Sequence, residues 1–436
     1  MSQTFKGGVH PDDHKSLTHQ KPIEQLPLPQ QVILPMSMHI GAPCQPVVAV
    51  GDHVFMGQTI GTSPAAVSAP VHATISGTVK SVGPMLHPNG TMVQSVVIEN
   101  NFKDELDPSV VPIDHSSMSP EDMIARIRDA GIVGHGGAAF PTHIKLSSAI
   151  GKVDTVIING AECEPYLTSD HRILTEYPWE VISGVQLILK ILNIKNAYIG
   201  IEVNKSDVID GVKKCLPGDG SIKLVPLMTK YPQGAEKQLI KSVTGREVPS
   251  GKLPADAGCA VFNVDTAASI FRLFNSGMPM LRRIVTVSGP DMALPKNLEV
   301  RIGTPIKDLI EFCGGFTEPP TKLLMGGSMM GTALFSDEVP VIKGTNGILA
   351  FAETEPLHLP DPKCIRCGKC VTDCPMHLIP TYIYQAYMAG KMDDCKSYHP
   401  LDCIECGVCS YTCPAKIPLT QGIRTAKQQI IAASRK

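Results

Sequence analysis

The sequence predicts a multidomain protein of mixed α/β and α+β class. Its 436 residues exceed the roughly 100–200 residues of one ordinary domain. Short β-type runs come first, an alternation of strands and helices follows, and two copies of one cysteine pattern stand near the end. We expect an N-terminal arm (1–31), a β-sandwich (32–100), a Rossmann-like α/β domain (115–282), a small β-grasp domain (283–350) and a cysteine-rich α domain (356–436).

The arm is polar and contains Gly7, Gly8 and His10, so it is predicted to be extended. In the sandwich, β-type runs alternate with Gly and Pro, at 47–50, 54–60, 73–75, 77–82 and 93–98. Residues 51–58 and 76–79 resemble the biotinyl/lipoyl-carrier sandwich. No lysine stands at the hairpin tip, where His72 lies instead, so no swinging arm is expected.

The α/β domain begins with a strong helix start at Ser119 and Pro120, a capping serine followed by proline at the first helical position. Strands and helices then alternate, at 153–158, 179–192, 197–202, 206–215 and 222–226. This order predicts parallel βαβ units, which bind ligands at the carboxyl ends of their strands.

The β-grasp domain is predicted from a strand at 284–289 and a short helix at 305–312 that stops at Gly314. The glycine- and methionine-rich segment 325–331 is expected to cross flexibly between elements. A proline-rich linker, 356–362, precedes the cysteine-rich domain.

Composition excludes two classes of function. Lys plus Arg (39) nearly balances Asp plus Glu (41) without a long basic block, so a nucleic-acid partner is not expected. The most apolar helical stretch, 181–194, falls short of the about 18–20 residues that a membrane-spanning helix needs. With no export signal in the sequence, we expect a reducing, cytoplasmic setting.

Eight of the 14 cysteines form the strongest chemical signal, two runs of Cys-x2-Cys-x2-Cys-x3-Cys-Pro. In such runs three thiolates bind one iron-sulfur cluster and the fourth binds the other cluster. We therefore assign Cys364, Cys367, Cys370 and Cys413 to one [4Fe-4S] cluster, and Cys403, Cys406, Cys409 and Cys374 to a second. Zinc sites and disulfides are poorer readings of this spacing. Two such clusters carry single electrons.

A second signal is the glycine-rich loop 131–145. Glycines let backbone N–H groups approach a phosphate or a flat ring closely, and Lys145 adds a positive charge. An ordinary tight turn is the alternative. Polar residues directly follow the strand at 153–158, and others occur near 236 and 263. Each acid among them, considered alone, is more often a solvated surface residue. The segments concerned are 131–145, 159–166, 231–236 and 262–266.

The order of these motifs resembles the flavin-bearing, NADH-oxidising subunit of respiratory complex I. The quoted strings are Gly134-x-Gly136-Gly137-Ala138-x-Phe140-Pro141-Thr142-x-x-Lys145, Asn159-x-x-Glu162-x-Glu164-Pro165, Tyr231-x-x-Gly234-x-Glu236 and Asn263-Val264-x-Thr266. With the arm, the sandwich and the two-cluster tail, the whole chain resembles the RnfC family, the peripheral subunit of the membrane-bound ferredoxin:NAD oxidoreductase (Rnf) complex.

The resemblance implies noncovalent FMN, NAD(H) as substrate, a β-grasp domain of the soluble-ligand-binding (SLBB) type and two [4Fe-4S] clusters. FMN contacts would come from Gly134, Gly136, Gly137, Lys145, Asn159, Asn263 and Thr266, with Phe140, Glu162, Glu164 and Glu236 nearer NAD(H). No residue is assigned as catalytic.

The family also implies an ion-translocating, NAD-linked oxidoreductase at the cytoplasmic face of the cell membrane. Its partners would be integral membrane Rnf-type subunits and, indirectly, ferredoxin. His135, Ala161, Ala235 and Phe262 depart from the complex I pattern. A cobalamin reductase-like enzyme of the same build and a non-catalytic electron relay remain alternatives.

Overall fold

The computed structural model describes residues 3–136, 138–352 and 362–434. Its N-terminal arm is largely extended, as predicted, but it contains one turn of 3-10 helix at Lys15–Leu17 and pairs with other domains at separate points. Strand β1 (Ile23–Gln25) pairs in parallel with the strand Lys296–Arg301 of the β-grasp domain. Earlier in the arm, Gln3 bridges Leu227 and Val9 bridges Tyr231. These pairings have no signature in the arm's own sequence.

The sandwich consists of two facing sheets, with strand orders β2-β8-β7-β4 and β3-β5-β6. Its strands are β2 (Gln31–Pro35), β3 (Gln45–Pro46), β4 (His53–Val54), β5 (Thr59–Thr62), β6 (Val71–His72), β7 (Gly77–Leu86) and β8 (Met92–Asn100). The predicted runs 47–50 and 73–75 are not strands, and the predicted run 54–60 covers only the end of β4 and the start of β5. The run 73–75 is nevertheless buried, and its Thr74 hydroxyl donates to the Ile302 carbonyl of the β-grasp domain at 2.6 Å.

The α/β domain has a four-stranded, all-parallel sheet of order β11-β10-β9-β12, which confirms the predicted βαβ organisation. Its elements are α1 (Pro120–Asp129), α2 (Thr142–Ala149), β9 (Thr155–Gly160), α3 (Ser169–Glu176), α4 (Pro178–Leu192), β10 (Ala197–Glu202), α5 (Ser206–Cys215), β11 (Ile222–Leu227), α6 (Glu236–Thr244), β12 (Cys259–Asn263) and α7 (Val264–Ser276). Ser119 caps α1 by accepting the Asp122 amide, as predicted. Neighbouring strands β9 and β12 place Asn159 opposite Asn263 at their carboxyl ends.

The β-grasp domain is a six-stranded mixed sheet of order β1-β14-β13-β17-β15-β16, with one helix packed on it. Its elements are β13 (Arg282–Ser288), β14 (Lys296–Arg301), α8 (Ile306–Phe312), β15 (Lys322–Met325), β16 (Thr332–Leu334) and β17 (Gly347–Phe351). The predicted helix at 305–312 is confirmed. Of the predicted linker 356–362, all but the last residue lies outside the described residues.

The C-terminal domain is helical, with a short helix inside each cysteine motif. Its helices are α9 (Lys369–Thr372), α10 (Pro380–Met388), α11 (Met392–Ser397), α12 (Val408–Tyr411) and α13 (Leu419–Ser434). The buried core joins α10 to α13 and contains Cys395, a fully buried cysteine outside the two motifs. Among the described helices, none is both long and apolar enough to cross a membrane.

Candidate functional site

The glycine-rich loop is a closed turn that stands at the carboxyl edge of the parallel sheet. The Gly134 amide donates to the Phe140 carbonyl at 2.8 Å, which brings the two ends of the loop together. Gly136 lies at the tip of the loop and is exposed. It lies close to Asn263, since a Cβ added at 136 would be 3.9 Å from Asn263 Nδ2. Gly137 lies outside the described residues. The loop therefore offers backbone next to a polar strand end, as a flavin or phosphate site requires.

A buried ionic group supports the loop from below. The His135 amide donates to Thr266 Oγ1 at 3.0 Å, and the His135 ring lies 2.6 Å from Asp265 Oδ2. Arg283 bridges both, from Nη1 to Asp265 and from Nη2 to the His135 carbonyl at 3.0 Å. Burial and the Arg283 charge lower the pKa of His135 to about 4, so its ring is neutral at pH 7. Thr266 thus holds the loop in position, and His135 is anchored beneath it by Asp265 and Arg283.

Asn263 connects this support to a carboxyl that the sequence did not single out. Its Oδ1 accepts the Asp265 amide at 2.8 Å as the cap of α7, and its Nδ2 donates to Asp170 Oδ2 at 2.6 Å. Burial, and then the nearby Glu162 and Asp265 carboxylates, raise the pKa of Asp170 to about 8. Asp170 is therefore largely protonated at neutral pH. The only signal for it in the sequence is an acid in the first turn of α3.

Asn159 holds together two loops at the end of β9. Its Nδ2 donates to the Gly234 carbonyl at 2.9 Å, and its Oδ1 accepts the Ala161 amide at 3.1 Å. A Cβ at Gly234 would lie only 3.3 Å from the Asn159 side chain, so this contact favours glycine at 234. Asn159 and Asn263 line the same sheet edge, as the sequence predicts.

The two predicted acids after β9 use their oxygen atoms within the protein. Glu162 accepts from the backbone amides of Asp170 (2.7 Å) and His171 (3.2 Å), so it caps the start of α3. Glu164 accepts from the amides of Met329 (2.9 Å) and Met330 (3.0 Å) in the 325–331 turn of the β-grasp domain. In this arrangement both acids shape the site, and their contact with NAD(H) stays a prediction.

Lys145 and Glu236 come together at the opposite side of the loop. Lys145 Nζ lies 2.9 Å from Glu236 Oε1 and donates to the Val261 carbonyl at 2.9 Å. Both side chains are partly exposed, at 33% and 39%, so they remain accessible to a ligand. Phe140, half-buried, lies at the nearby end of the loop.

Two buried lysines, missed by the sequence reasoning, fix the 161–167 segment from beneath. Lys205 Nζ donates to the Ala161 carbonyl at 2.6 Å, and Lys15 Nζ donates to the carbonyls of Glu164 (2.9 Å) and Leu167. The segment needs this support because Glu162 (φ 46°) and Tyr166 (φ 68°) adopt left-handed backbone, which costs energy for residues other than glycine. Lys15 comes from the N-terminal arm, far away in sequence.

The structure brings the eight motif cysteines together in two groups of four, and their assignment as cluster ligands stays a prediction. One cavity is lined by Cys374, Cys403, Cys406 and Cys409 together. In the other group, burial raises the pKa of the Cys370 thiol, and its neighbours Cys413, Cys364 and Cys367 raise it further. No three His, Cys, Asp or Glu side chains among the described residues converge as closely as a single metal ion requires. Four thiols around a larger space fit the donor set of a [4Fe-4S] cluster.

The Cys403 group packs directly on the α/β domain. The Tyr231 hydroxyl donates to the Cys406 carbonyl at 2.7 Å, and Gln238 Nε2 donates to the Pro375 carbonyl at 3.1 Å. The arm adds a third tether, from the Gly8 amide to the Asp373 carbonyl at 2.7 Å. The Cys364 group, in contrast, has two exposed cysteines, Cys364 and Cys367.

Comparison with known proteins assigns a family model to each domain in order. The matches are the RnfC barrel sandwich hybrid domain over residues 3–103, the Nuo51 FMN-binding domain over 127–272, the SLBB domain over 284–333 and the 4Fe-4S dicluster domain over 358–414. They confirm the predicted fold class.

Curated relatives match along almost the whole chain. The C subunit of the Na+-translocating ferredoxin:NAD+ oxidoreductase complex of Acetobacterium woodii is 47% identical over 99% of this chain and 98% of its own. Its counterpart in the proton-translocating ferredoxin:NAD+ oxidoreductase complex of Clostridium ljungdahlii is 47% identical, over 99% and 95%. The counterpart in the ion-translocating oxidoreductase complex of Rhodobacter capsulatus is 40% identical, over 99% and 84%.

Among solved structures, an air-oxidised NAD+-reducing [NiFe]-hydrogenase matches with a TM-score of 0.51 and 18% identity. The match covers 73% of this chain and 62% of that chain, and it shows a shared fold.

Proposed function

Because the chain belongs to the RnfC family, we propose that it is the electron-transfer subunit of a ferredoxin:NAD+ oxidoreductase that translocates ions across a membrane. It exchanges hydride with NAD(H) at FMN and single electrons through two [4Fe-4S] clusters. The observation that carries the proposal is the direct contact between the α/β domain and a cysteine quartet, through Tyr231 and Cys406. None of the observations favours the cobalamin reductase-like enzyme or the relay without nucleotide binding.

The residues of the glycine-rich loop and the sheet edge suit FMN. The backbone of Gly134, Gly136 and Gly137 would hold it, Lys145 would supply a positive charge, and Asn159 and Asn263 would offer amides. FMN, when bound, interconverts the two-electron chemistry of nicotinamide with the one-electron chemistry of the clusters. Thr266 also fixes the loop by accepting the His135 amide, and Asn263 caps α7, so both residues have a positioning role as well.

NAD(H) would bind over the flavin, near Phe140 and Glu236. Glu162 and Glu164 keep the surrounding segment in shape, since their carboxylates hold α3 and the 325–331 turn. The chain's contribution to hydride transfer is then orientation, because no side chain needs to donate or remove a proton at the reacting carbon.

The cysteine quartets would hold the clusters in the crossed arrangement, with Cys374 and Cys413 each serving the cluster of the other motif. The Cys403 group would be nearer the flavin, given its hydrogen bonds to Tyr231 and Gln238. The Cys403 group would then hold the inner cluster, and the Cys364 group would hold the outer cluster. This order gives electrons a path from the α/β domain to the protein surface.

The chain acts as one subunit of a multisubunit complex. We propose that it lies peripherally at the cytoplasmic face of the cell membrane, where integral membrane subunits bind it and ferredoxin acts through them. Its own described helices contribute no membrane span.

The test is anaerobic reduction of the purified, cluster-loaded chain by NADH, followed by iron-sulfur EPR. We expect the released flavin to be identified as FMN. NADH should reduce the clusters, so that the EPR signal of reduced [4Fe-4S] clusters appears. Cys406→Ser should remove the inner cluster, whereas Cys395→Ser, at a buried cysteine outside the motifs, should leave both clusters in place. Clusters that respond to dithionite but never to NADH, with FMN bound, would refute the proposed path.

A further inference from the structure

The two cysteine loops are near-copies that differ in charge. The first loop, residues 364–370, reads Cys-Ile-Arg-Cys-Gly-Lys-Cys, and the second loop, residues 403–409, reads Cys-Ile-Glu-Cys-Gly-Val-Cys. Their backbones agree, with φ of 58° at Arg366 and 57° at Glu405, and 78° at Gly368 and 81° at Gly407. The two differing positions therefore change side chains and charge on one shared backbone.

In the second loop, both positions face the protein itself. Glu405 pairs with Arg424 at 2.8 Å and with Lys427 at 2.5 Å. Val408 is fully buried in a small core with Tyr231. Contacts within this chain thus explain both the acid at 405 and the valine at 408.

In the first loop, the corresponding side chains face outward. Arg366 and Lys369 are exposed, and Ile365 is 67% exposed, although its counterpart Ile404 packs against the core that contains Tyr231. The loop itself contains no acid; Asp361 and Asp373 flank it in the sequence, and Asp373 accepts a hydrogen bond from the Thr412 hydroxyl at 2.6 Å. The first loop is therefore a positively charged surface directly over cluster ligands.

Apolar side chains accompany this charge. Thr381 Oγ1 lies 3.7 Å from Cys364 Sγ, which places the start of α10 beside the first loop. The flanking Ile379 and Tyr382 are 38% and 50% exposed. Exposed apolar groups combined with charges of one sign are typical of a surface that binds a partner transiently.

We propose that the first loop is the docking surface for an acidic electron-transfer protein or protein domain, which exchanges electrons with the cluster beneath it. This inference rests on the proposed function. Each encounter moves one electron between the partner's redox centre and the cluster of Cys364, Cys367, Cys370 and Cys413. Two such electrons and one proton convert NAD+ to NADH, and the reverse flow oxidises NADH. Arg366 and Lys369 attract the carboxylates of the partner and orient it, which raises the association rate.

The chain offers a matched variant for the test. Arg366→Glu with Lys369→Val gives the first loop the sequence of the second loop, whose backbone is the same. Lys214→Glu with Lys223→Val makes an equal charge change at exposed positions of the α/β domain and serves as the control. Iron content confirms that both clusters are retained. If the loop variant retains less iron, Arg366→Gln with Lys369→Gln replaces it in every measurement.

The probe is an acidic two-cluster ferredoxin, which stands in for the acidic partner as a soluble one-electron donor. It is reduced and freed of reductant, and the readout is its oxidation by the cluster-loaded chain in stopped flow. Binding of the oxidised ferredoxin is measured in parallel. Salt is varied from about 0.01 M to 1 M, over which the Debye length falls from about 30 Å to 3 Å. As salt rises over this range, we expect the oxidation rate and the ferredoxin affinity of the unaltered chain and of the control to fall about tenfold. At low salt the loop variant should bind ferredoxin about tenfold more weakly and oxidise it about tenfold more slowly. Its affinity and rate should depend little on salt.

A loop variant that keeps the full rate and affinity of the unaltered chain would overturn the docking proposal. So would a loop variant that changes only binding to vesicles of phosphatidylglycerol and phosphatidylcholine, since the basic loop would then contact lipid. Failure of NADH to reduce the clusters of the unaltered chain would instead refute the proposed function. The two outcomes are separate because ferredoxin binding requires no NADH.

Discussion

Tyr231 and Cys406 are joined by a buried hydrogen bond of 2.7 Å from the tyrosine hydroxyl to the cysteine carbonyl. The bond ties the α/β domain to a loop that carries three of the inner cluster's four proposed ligands. A buried carbonyl left without its donor costs about 1–3 kcal/mol.

Tyr231→Phe should therefore loosen the inner cluster loop without removing a ligand. We expect flavin reduction by NADH to stay at its normal rate and electron transfer from flavin to cluster to slow, because the distance between them becomes less well defined. Stopped-flow absorbance separates the two steps. Tyr198→Phe, on strand β10, is the control, and an unchanged cluster rate in Tyr231→Phe would show that the bond has no positioning role.

The crossed ligand arrangement predicts non-additive iron loss. Cys374→Ser should reduce iron from about eight to about four atoms per chain, because each [4Fe-4S] cluster holds four. Adding Cys406→Ser should cost no further iron, since both residues belong to the inner cluster. Adding Cys367→Ser instead should remove nearly all iron. Iron and sulfide assays check this, and the opposite pattern would assign Cys374 to the cluster of its own motif.

Gly327→Ala should disturb the site from the β-grasp domain. A Cβ at 327 would lie 2.2 Å from Glu164 Oε2, so the carboxylate would be displaced from the Met329 and Met330 amides. We expect a loss of about 1–3 kcal/mol in stability, the cost of unsatisfied buried groups. Thermal unfolding of the variant is compared with Gly83→Ala, where no atom lies within 4 Å of the added Cβ. Equal melting temperatures for the two variants would contradict the assignment.

The raised pKa of Asp170 predicts a pH-dependent stability. In the folded state this carboxyl keeps its proton up to about pH 8, whereas the unfolded chain releases it near pH 4. Its contribution to stability therefore falls as pH rises from 4 towards 8 and is constant above that, because only the folded state holds the proton in that interval.

Asp170→Asn keeps an acceptor for Asn263 but cannot ionise. The difference in unfolding free energy, variant minus unaltered chain, should grow by at most about 1.4 kcal/mol per pH unit between pH 6 and 8. Urea unfolding at several pH values measures it. A difference that does not vary with pH would mean that Asp170 is ionised throughout.

The sequence by itself determined the features that depend on near neighbours. Cysteine spacing predicted the two quartets, the Ser119 cap predicted the start of α1, and the run 197–202 is the strand β10. Local hydrogen bonding and hydrophobic periodicity decide such features within a few residues. The order of these local patterns along the chain also predicted the order of the domains.

Only the tertiary structure decided which side chains meet. The contacts that Glu162 and Glu164 make within the protein could not be read from the sequence. Glu162 caps α3, and Glu164 holds the Met329 amide, which lies 165 residues away in the sequence. Lys15 and Asp170 acquired their roles through packing against segments that no local pattern connects. A buried polar atom must find a partner wherever the fold supplies one, because leaving it unpaired is costly, and that partner is set by the arrangement of domains.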